Sequence, residues 1–312
     1  MPGFKGMKKT FLSWFLLFSC NLMWALQFTC IKLTQEQVGP YFTVWGPMLI
    51  ATIFLVPFAL KEFSKSGKSL KDIWIFIVLV IFGAFPAQVL ITYGTQLSLA
   101  SNAAILTLSL PVITALFAFL ILKEKMNTTR WISFGIAIIG VVLCSMGDLR
   151  NLNFGSKYAI GNLIIFLAII GNSFYNTGCK KILERYTPVE MVFFTYLFLV
   201  IFLTPFVLHY EGDVFSRIVT FTPQTWTGLT LLAVFHNFLS MVLFFKALKK
   251  LELIQAALSN YLITFFGLPI AAIWLGERLN VQAIFGGILI FVSTLIITIV
   301  DYRLSKRSAA VS

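Results

Sequence analysis

The chain has 312 residues, 59% of them hydrophobic and 12% charged, with a mean hydropathy of +0.91. A soluble domain carries charge at roughly a quarter of its positions, so this composition excludes a water-soluble globular protein and indicates a polytopic membrane protein. The net charge of +12 comes from basic residues placed between apolar segments, where they orient a chain in a bilayer and give no reason to expect nucleic acid as a partner.

Apolar runs of spanning length fall at 11–31, 41–60, 73–95, 103–122, 131–147, 160–179, 189–208, 226–246, 254–275 and 281–300. They predict an all-α integral membrane protein with ten transmembrane helices, since backbone polar groups in lipid must be bonded internally and the runs are too long for barrel strands. Lys5, Lys8 and Lys9 followed by an apolar run resemble a secretory signal. The run continues to Ile31, however, and reads as an uncleaved first helix. Pro86, Pro111 and Pro269 fall within spans and each should kink its helix by removing a backbone hydrogen bond.

Two segments repeat. Pro40 to Leu60 aligns with Pro188 to Leu208 at an offset of 148 with nine identities in 21 positions, among them Pro40/Pro188, Pro57/Pro205 and Phe58/Phe206. Ala103 to Asn127 aligns with Ala256 to Asn280 at an offset of 153, with Glu124 facing Glu277. A longer polar connection over Tyr210 to Gln224 accounts for the change of offset. The boundary falls in the polar loop Gly147 to Lys157, giving two five-helix units, 1–150 and 151–312. With the amino terminus inside, 19 of the 24 Lys and Arg residues lie on the inner side and five on the outer, so the positive-inside rule expects both termini in the cytoplasm. Five is odd, and the second unit then enters the membrane from the opposite side. Two inverted repeats around a central cavity is the arrangement that lets one midplane site open alternately to either side.

Polar residues recur at helical spacing on several spans. Asn21, Trp24 and Phe28 share a face of the first; Gln88, Thr92 and Gln96 repeat every four residues on the third; Asn172 and Asn176 do so on the sixth, and Asn260 and Thr264 on the ninth. Each group either lines the cavity or hydrogen-bonds between helices, where such a contact is worth about 0.6 kcal/mol. His236 and Asn237 lie together on the eighth span. His titrates near neutral pH, and the pair is read either as a proton-handling site or as a structural one. Glu124 and Glu277 close the fourth and ninth spans beside Lys125 and Arg278, and are expected to pair locally with those cations, to cap the following helix, or to act as gate latches. Lys32, Lys180 and Lys246 end their spans and either snorkel to headgroups or face the cavity, the latter favouring an anionic solute. No Asp or Glu falls in mid-span, which argues against a direct carboxylate proton relay. Cys20, Cys30, Cys144 and Cys179 are unclustered, so neither a metal site nor a disulfide framework is expected.

The whole pattern resembles the EamA-type proteins of the drug/metabolite transporter superfamily. The likeness is carried by Trp24 to Lys32 (WALQFTCIK), Pro40, Pro57-Phe58, Tyr93 to Ala104 (YGTQLSLASNAA) and the ends KEKMN and GERLN, and is echoed by Gly171 to Lys180, Pro205-Phe206 and Phe244 to Leu248. Many relatives carry an Arg soon after the Pro that opens the second helix; here Tyr41 to Met48 reads YFTVWGPM. The small multidrug branch uses a Glu in its first helix, where this chain has Asn21 and Gln27. The resemblance implies a secondary transporter in a bacterial inner membrane, exporting an amino acid or related metabolite, with a sugar-phosphate or nucleotide-type exchanger as the alternative. No cofactor is expected, and a monomer or weak homodimer suffices. A membrane enzyme would require a nucleophile, nucleotide loop or metal-ligand cluster, none of which is present in the sequence.

Overall fold

The computed structural model describes residues 3–63, 73–123, 128–145, 157–182, 185–248, 260–279 and 281–309, and every regular element among them is helical. The α-helices are α1 (Gly3–Thr34), α2 (Pro40–Phe63), α3 (Ile73–Leu79), α4 (Phe85–Leu97), α5 (Ala100–Leu106), α6 (Leu110–Leu122), α7 (Thr128–Ser145), α8 (Lys157–Ile182), α9 (Pro188–Tyr210), α10 (Val214–Arg217), α11 (Pro223–Leu231), α12 (Ser240–Leu248), α13 (Tyr261–Leu275) and α14 (Val281–Ala309). Among the described residues seven helical stretches are long and apolar enough to cross a membrane, and three shorter apolar helices cover Thr128–Cys144, Leu262–Leu275 and Val281–Ser293. The outside of the bundle is apolar, with Trp74, Phe82, Leu60 and Phe285 all well exposed, as a surface solvated by lipid tails requires.

Two of the three prolines change the helix around them. The predicted 73–95 span is α3 and α4 joined by a π-helical turn, Val80–Ala84. Phe85 N–H there reaches back five residues to the Val80 carbonyl, and Pro86 occupies the first turn of α4. Pro86 has no N–H to continue an α pattern, and the wider turn absorbs that loss. The predicted 103–122 span begins earlier, at Ala100, and tightens to a 3-10 turn at Thr107–Ser109 just before Pro111. Pro269 leaves α13 a single helix. A second π segment, Leu232–Leu239, joins α11 to α12 without any proline. Ser240 holds it in place: its N–H reaches the Phe235 carbonyl five residues back, and its hydroxyl donates to the His236 carbonyl.

α2 and α9, which are equivalent in the sequence repeat, pack antiparallel. Glu211, just past α9, accepts from Tyr41 N–H (2.9 Å) and Phe42 N–H (2.8 Å) in the first turn of α2. At the other end of the same pair, Glu62 accepts from the Thr187 hydroxyl, and Thr187 caps α9 in a capping box with Glu190. Burial pushes the Glu211 carboxyl up, although the two backbone donors pull it back. Past α13, Glu277 accepts from Ala100 N–H (2.9 Å), Ser101 N–H (2.8 Å) and the Ser101 hydroxyl (2.7 Å) at the start of α5. Between the same two helices, Thr264 Oγ1 donates to the Ala104 carbonyl at 2.7 Å.

Close crossings depend on glycine. A Cβ on Gly94 of α4 would lie 2.8 Å from the Gly161 carbonyl oxygen of α8, and one on Gly140 of α7 2.7 Å from that of Gly286 in α14. Small residues of this kind let backbones approach in a bilayer, where no hydrophobic force draws helices together.

Gly161→Ala places its Cβ 2.8 Å from the Gly94 carbonyl and 2.9 Å from Ser98 backbone N, so it is expected to destabilise by about 1–3 kcal/mol. Gly135→Ala, with nothing within 4 Å, is expected to stay within about 0.5 kcal/mol of wild type. Thermal unfolding in detergent, followed by tryptophan fluorescence, measures both, and equal losses would refute the close-approach account.

Candidate functional site

Four helical regions converge on one small cavity lined by Gln27 and Ile31 of α1, Thr43, Val44 and Met48 of α2, Gln88 and Thr92 of α4, and Leu232, His236 and Asn237 of the second π segment. Its free volume of about 10 Å³ is room for about one water. The two threonines are already engaged: Thr92 Oγ1 donates to the Gln88 carbonyl at 2.8 Å, and Thr43 Oγ1 to the Gly39 carbonyl at 2.8 Å. The side-chain amides of Gln27, Gln88 and Asn237 make no hydrogen bond to another described residue, and His236 Nδ1 is sealed from solvent with no partner among them. A buried unmade hydrogen bond costs about 1–3 kcal/mol. His236 Nδ1 is such a group, and the amides of Gln27, Gln88 and Asn237 line the same void, a set suited to a polar ligand. No Asp, Glu, Lys or Arg lines it, and no group of three metal-ligating side chains occurs among the described residues.

The structure brings Gln88, Thr92, His236 and Asn237 together and distributes the other candidates elsewhere. Asn21 is buried and donates to the Leu17 carbonyl of its own helix at 2.8 Å. Phe28 belongs to the core with Ala103, Ala104 and Ile263, and Trp24 packs on Phe244 with ring centroids 4.9 Å apart. Gln96 lies farther along α4, where its amide donates to the Val38 carbonyl at 3.3 Å. On α8, Asn172 is half-buried and Asn176 exposed, while Ser173 and Thr177 occupy the buried face. Thr264 ties α13 to α5. Asn260 stands just before α13, its Oδ1 sealed and without a partner among the described residues.

Two of the charged candidates, Lys32 and Glu277, meet at a helix corner. Lys32 Nζ donates to the Gln96 carbonyl (3.3 Å) and the Ser98 carbonyl (2.8 Å) at the end of α4, and Glu277 caps α5, which starts two residues later. A cation at a helix carboxyl end and an anion at an amino end both match the local dipole. The sequence predicts local pairing with Arg278, a cap of the following helix or a gate latch for Glu277; its hydrogen-bond partners Ala100 and Ser101 instead lie 177 and 176 residues away in sequence. Glu124 lies outside the described residues, as do the side chains of Lys180 and Lys246. The four cysteines are all buried and free.

Gln27 and Thr43 were not among the sequence candidates. The signal for Gln27 was present, since it lies four residues before Ile31; the face chosen from sequence was the adjacent one containing Asn21, Trp24 and Phe28.

Comparison with known proteins places these features in a group. The profile of the EamA-like transporter family matches residues 12–146 and again 159–299. "Uncharacterized transporter YetK" of Bacillus subtilis is 25% identical over 223 residues, which are 70% of this chain and 66% of YetK. An "Uncharacterized transporter" of Archaeoglobus fulgidus is 25% identical over 86% of this chain and 91% of its own length. A protein of Streptantibioticus cattleyicolor named "Probable terminal-alkyne amino-acid exporter" is 22% identical over 85% of this chain and 86% of its own. A solved crystal structure superposes with a TM-score of 0.62 over 94% of this chain and 98% of that one, at 15% identity, a likeness of fold alone.

Glu277→Ala removes three hydrogen bonds at the start of α5 and is expected to cost about 0.5–2 kcal/mol. Asn176→Ala, at an exposed position, is expected to leave the unfolding midpoint in detergent unchanged. A midpoint for Glu277→Ala within error of wild type would show that the cap contributes nothing.

Proposed function

We propose, from the premise that the chain belongs to the EamA-like transporter family, that it is a secondary transporter exporting a small organic solute, an amino acid or related metabolite, by alternating access. The observation that carries this reading is the cavity itself, in which three free amides and an unpartnered imidazole nitrogen from α1, α4 and the second π segment converge. One water's worth of space admits no metabolite, so in this reading the helices part to take up solute. The irregular turns at Val80–Ala84, Thr107–Ser109 and Leu232–Leu239 are the natural places for that movement, because non-helical backbone at membrane depth is tolerated where protein or a cavity surrounds it.

The antiparallel packing of the repeat-equivalent helices α2 and α9 supports two inverted units, 1–150 and 151–312, with ten transmembrane helices in all. The distribution of Lys and Arg supports cytoplasmic termini in a bacterial inner membrane. A lining without Lys or Arg favours this solute class over a sugar phosphate or nucleotide, whose charge would need cations. The family and the names of the relatives point to transport and away from catalysis. The finer reading of the solute draws on the relative named as an amino-acid exporter and on the amide-rich lining.

Proteoliposomes loaded with radiolabelled L-leucine, L-phenylalanine, L-threonine or glucose 6-phosphate test it. At least one amino acid is expected to leave faster than from protein-free vesicles. Gln88→Ala is expected to weaken the apparent affinity by about 3- to 10-fold, the value of one lost hydrogen bond. Flux of glucose 6-phosphate with none of the amino acids would overturn the proposed solute class.

A further inference from the structure

The chain contains two histidines. His209, at the end of α9, stacks edge-on against Tyr210 with centroids 4.6 Å apart. His236 lies in the cavity wall, on a π segment, with Nδ1 buried and unpartnered. We propose that His236 is the carboxylate-binding group of the cavity and that it binds the solute's carboxylate together with one proton, a step that rests on the transport reading above.

The electrostatics of the cavity walls support this. A carboxylate brought into a cavity in protein costs several kcal/mol unless a cation and hydrogen-bond donors receive it. The lining has donors, the amides of Gln27, Gln88 and Asn237, and has no fixed cation. The basic side chain nearest in sequence on α1, Lys32, is directed away to the Gln96 and Ser98 carbonyls. Two other titratable groups touch the segment from neighbouring elements. The Cys30 thiol packs with Leu232, and the Tyr196 hydroxyl donates to the Asn237 carbonyl at 3.3 Å; both are neutral at ordinary pH. From α2 and α4 the facing residues are Thr43, Val44, Met48, Gln88 and Thr92, none of which titrates. The imidazole is therefore the one lining group able to become a cation.

The π turn explains why its ring nitrogen is available. Ser240 satisfies the His236 carbonyl, so the backbone of the widened turn is bonded and the imidazole is free for a ligand. Binding then proceeds with a balanced proton transfer: neutral imidazole takes a proton from water to give imidazolium, which pairs with the entering carboxylate. On release the proton returns to water. Without bound solute the imidazole is neutral and the lining carries no net charge.

Linkage gives the sign. If bound carboxylate stabilises imidazolium, solute binding takes up protons and affinity rises as pH falls toward and below the pKa of the imidazolium in the complex. The test is isothermal titration calorimetry of the full-length protein in detergent, carrying His209→Asn so that His236 is the single histidine, with L-leucine, L-phenylalanine and L-threonine as probes and leucinol as the carboxylate-free control. Repeating each titration in phosphate and in Tris at one pH reads proton uptake from the difference in heat. For an amino acid that binds, we expect net uptake of a proton and a Kd falling at least about threefold per unit between pH 8 and pH 6.5. We expect leucinol to show neither. His236→Gln should flatten the pH dependence, and if that variant fails to fold, the two-buffer measurement on the His209→Asn protein decides alone. Binding without proton uptake, or with a pH dependence retained in His236→Gln, overturns the role of His236 and leaves the transport reading standing. Binding of none of the three amino acids overturns both.

Discussion

A backbone N–H or C=O that ends a helix inside or beside a membrane has no bulk water to bond to, and that constraint explains the placement of many of the ordered charges. Each α-helix leaves its first N–H groups and last C=O groups without intrahelical partners. Here a side chain from the end of a neighbouring helix supplies them. Glu211 serves the start of α2, Glu277 the start of α5 and Lys32 the carboxyl end of α4, while Glu62 accepts from the hydroxyl of Thr187, which itself caps α9. Glu211 and Glu277 each work only if the helix that carries them ends where its neighbour begins, so these caps require the antiparallel placement of α9 on α2 and of α13 on α5, and they hold it in register.

The same constraint accounts for what lines the cavity. Where the helix pattern is regular, hydroxyls bond to carbonyls of their own turn, as Thr92 and Thr43 do, and are not available to a ligand. Where the pattern is broken, at the π segment between α11 and α12, Ser240 takes over the backbone bonding and leaves His236 and Asn237 facing the void. Val80–Ala84 is the counterpart in the first half of the chain: the offset of 153 carries Ala84 onto Asn237. Both helices are wound too loosely at the same depth of the repeat, by different means. Pro86 withholds a donor in one, and Ser240 adds one in the other.

The helices were legible because long apolar runs in lipid have one outcome, and the repeat was legible through Pro40/Pro188 and Glu124/Glu277. The π turns were not. Proline announces a defect without specifying whether the helix tightens, as before Pro111, or loosens, as before Pro86, and nothing in the eighth span announced one at all. Among the polar residues, fourfold spacing identified a shared face and left open what the face meets. Gln88 and Thr92 reach the void; Gln96, two turns from Gln88, reaches the Val38 carbonyl. On α8 the buried polar face is that of Ser173 and Thr177, offset by one residue from Asn172 and Asn176. A one-residue step rotates a helical side chain by about 100°, enough to exchange a packing face for an outer one. The partner of Glu277 is nearly 180 residues away, and only the three-dimensional pairing of α5 with α13 reveals it.

The corner between α4 and α5 gathers several side-chain contacts from other helices. Lys32 binds its first helix and Glu277 its second, and Ser98 and Asn102 bond onward to Asn162 of α8. Charge-assisted bonds of this type contribute about 1.5–3 kcal/mol each, so breaking Lys32 and Glu277 away together costs several kcal/mol. Lys32 at the end of α1 and Glu277 past the end of α13 thus tie those two helices to the same corner, one through the last carbonyls of α4 and the other through the first N–H groups of α5.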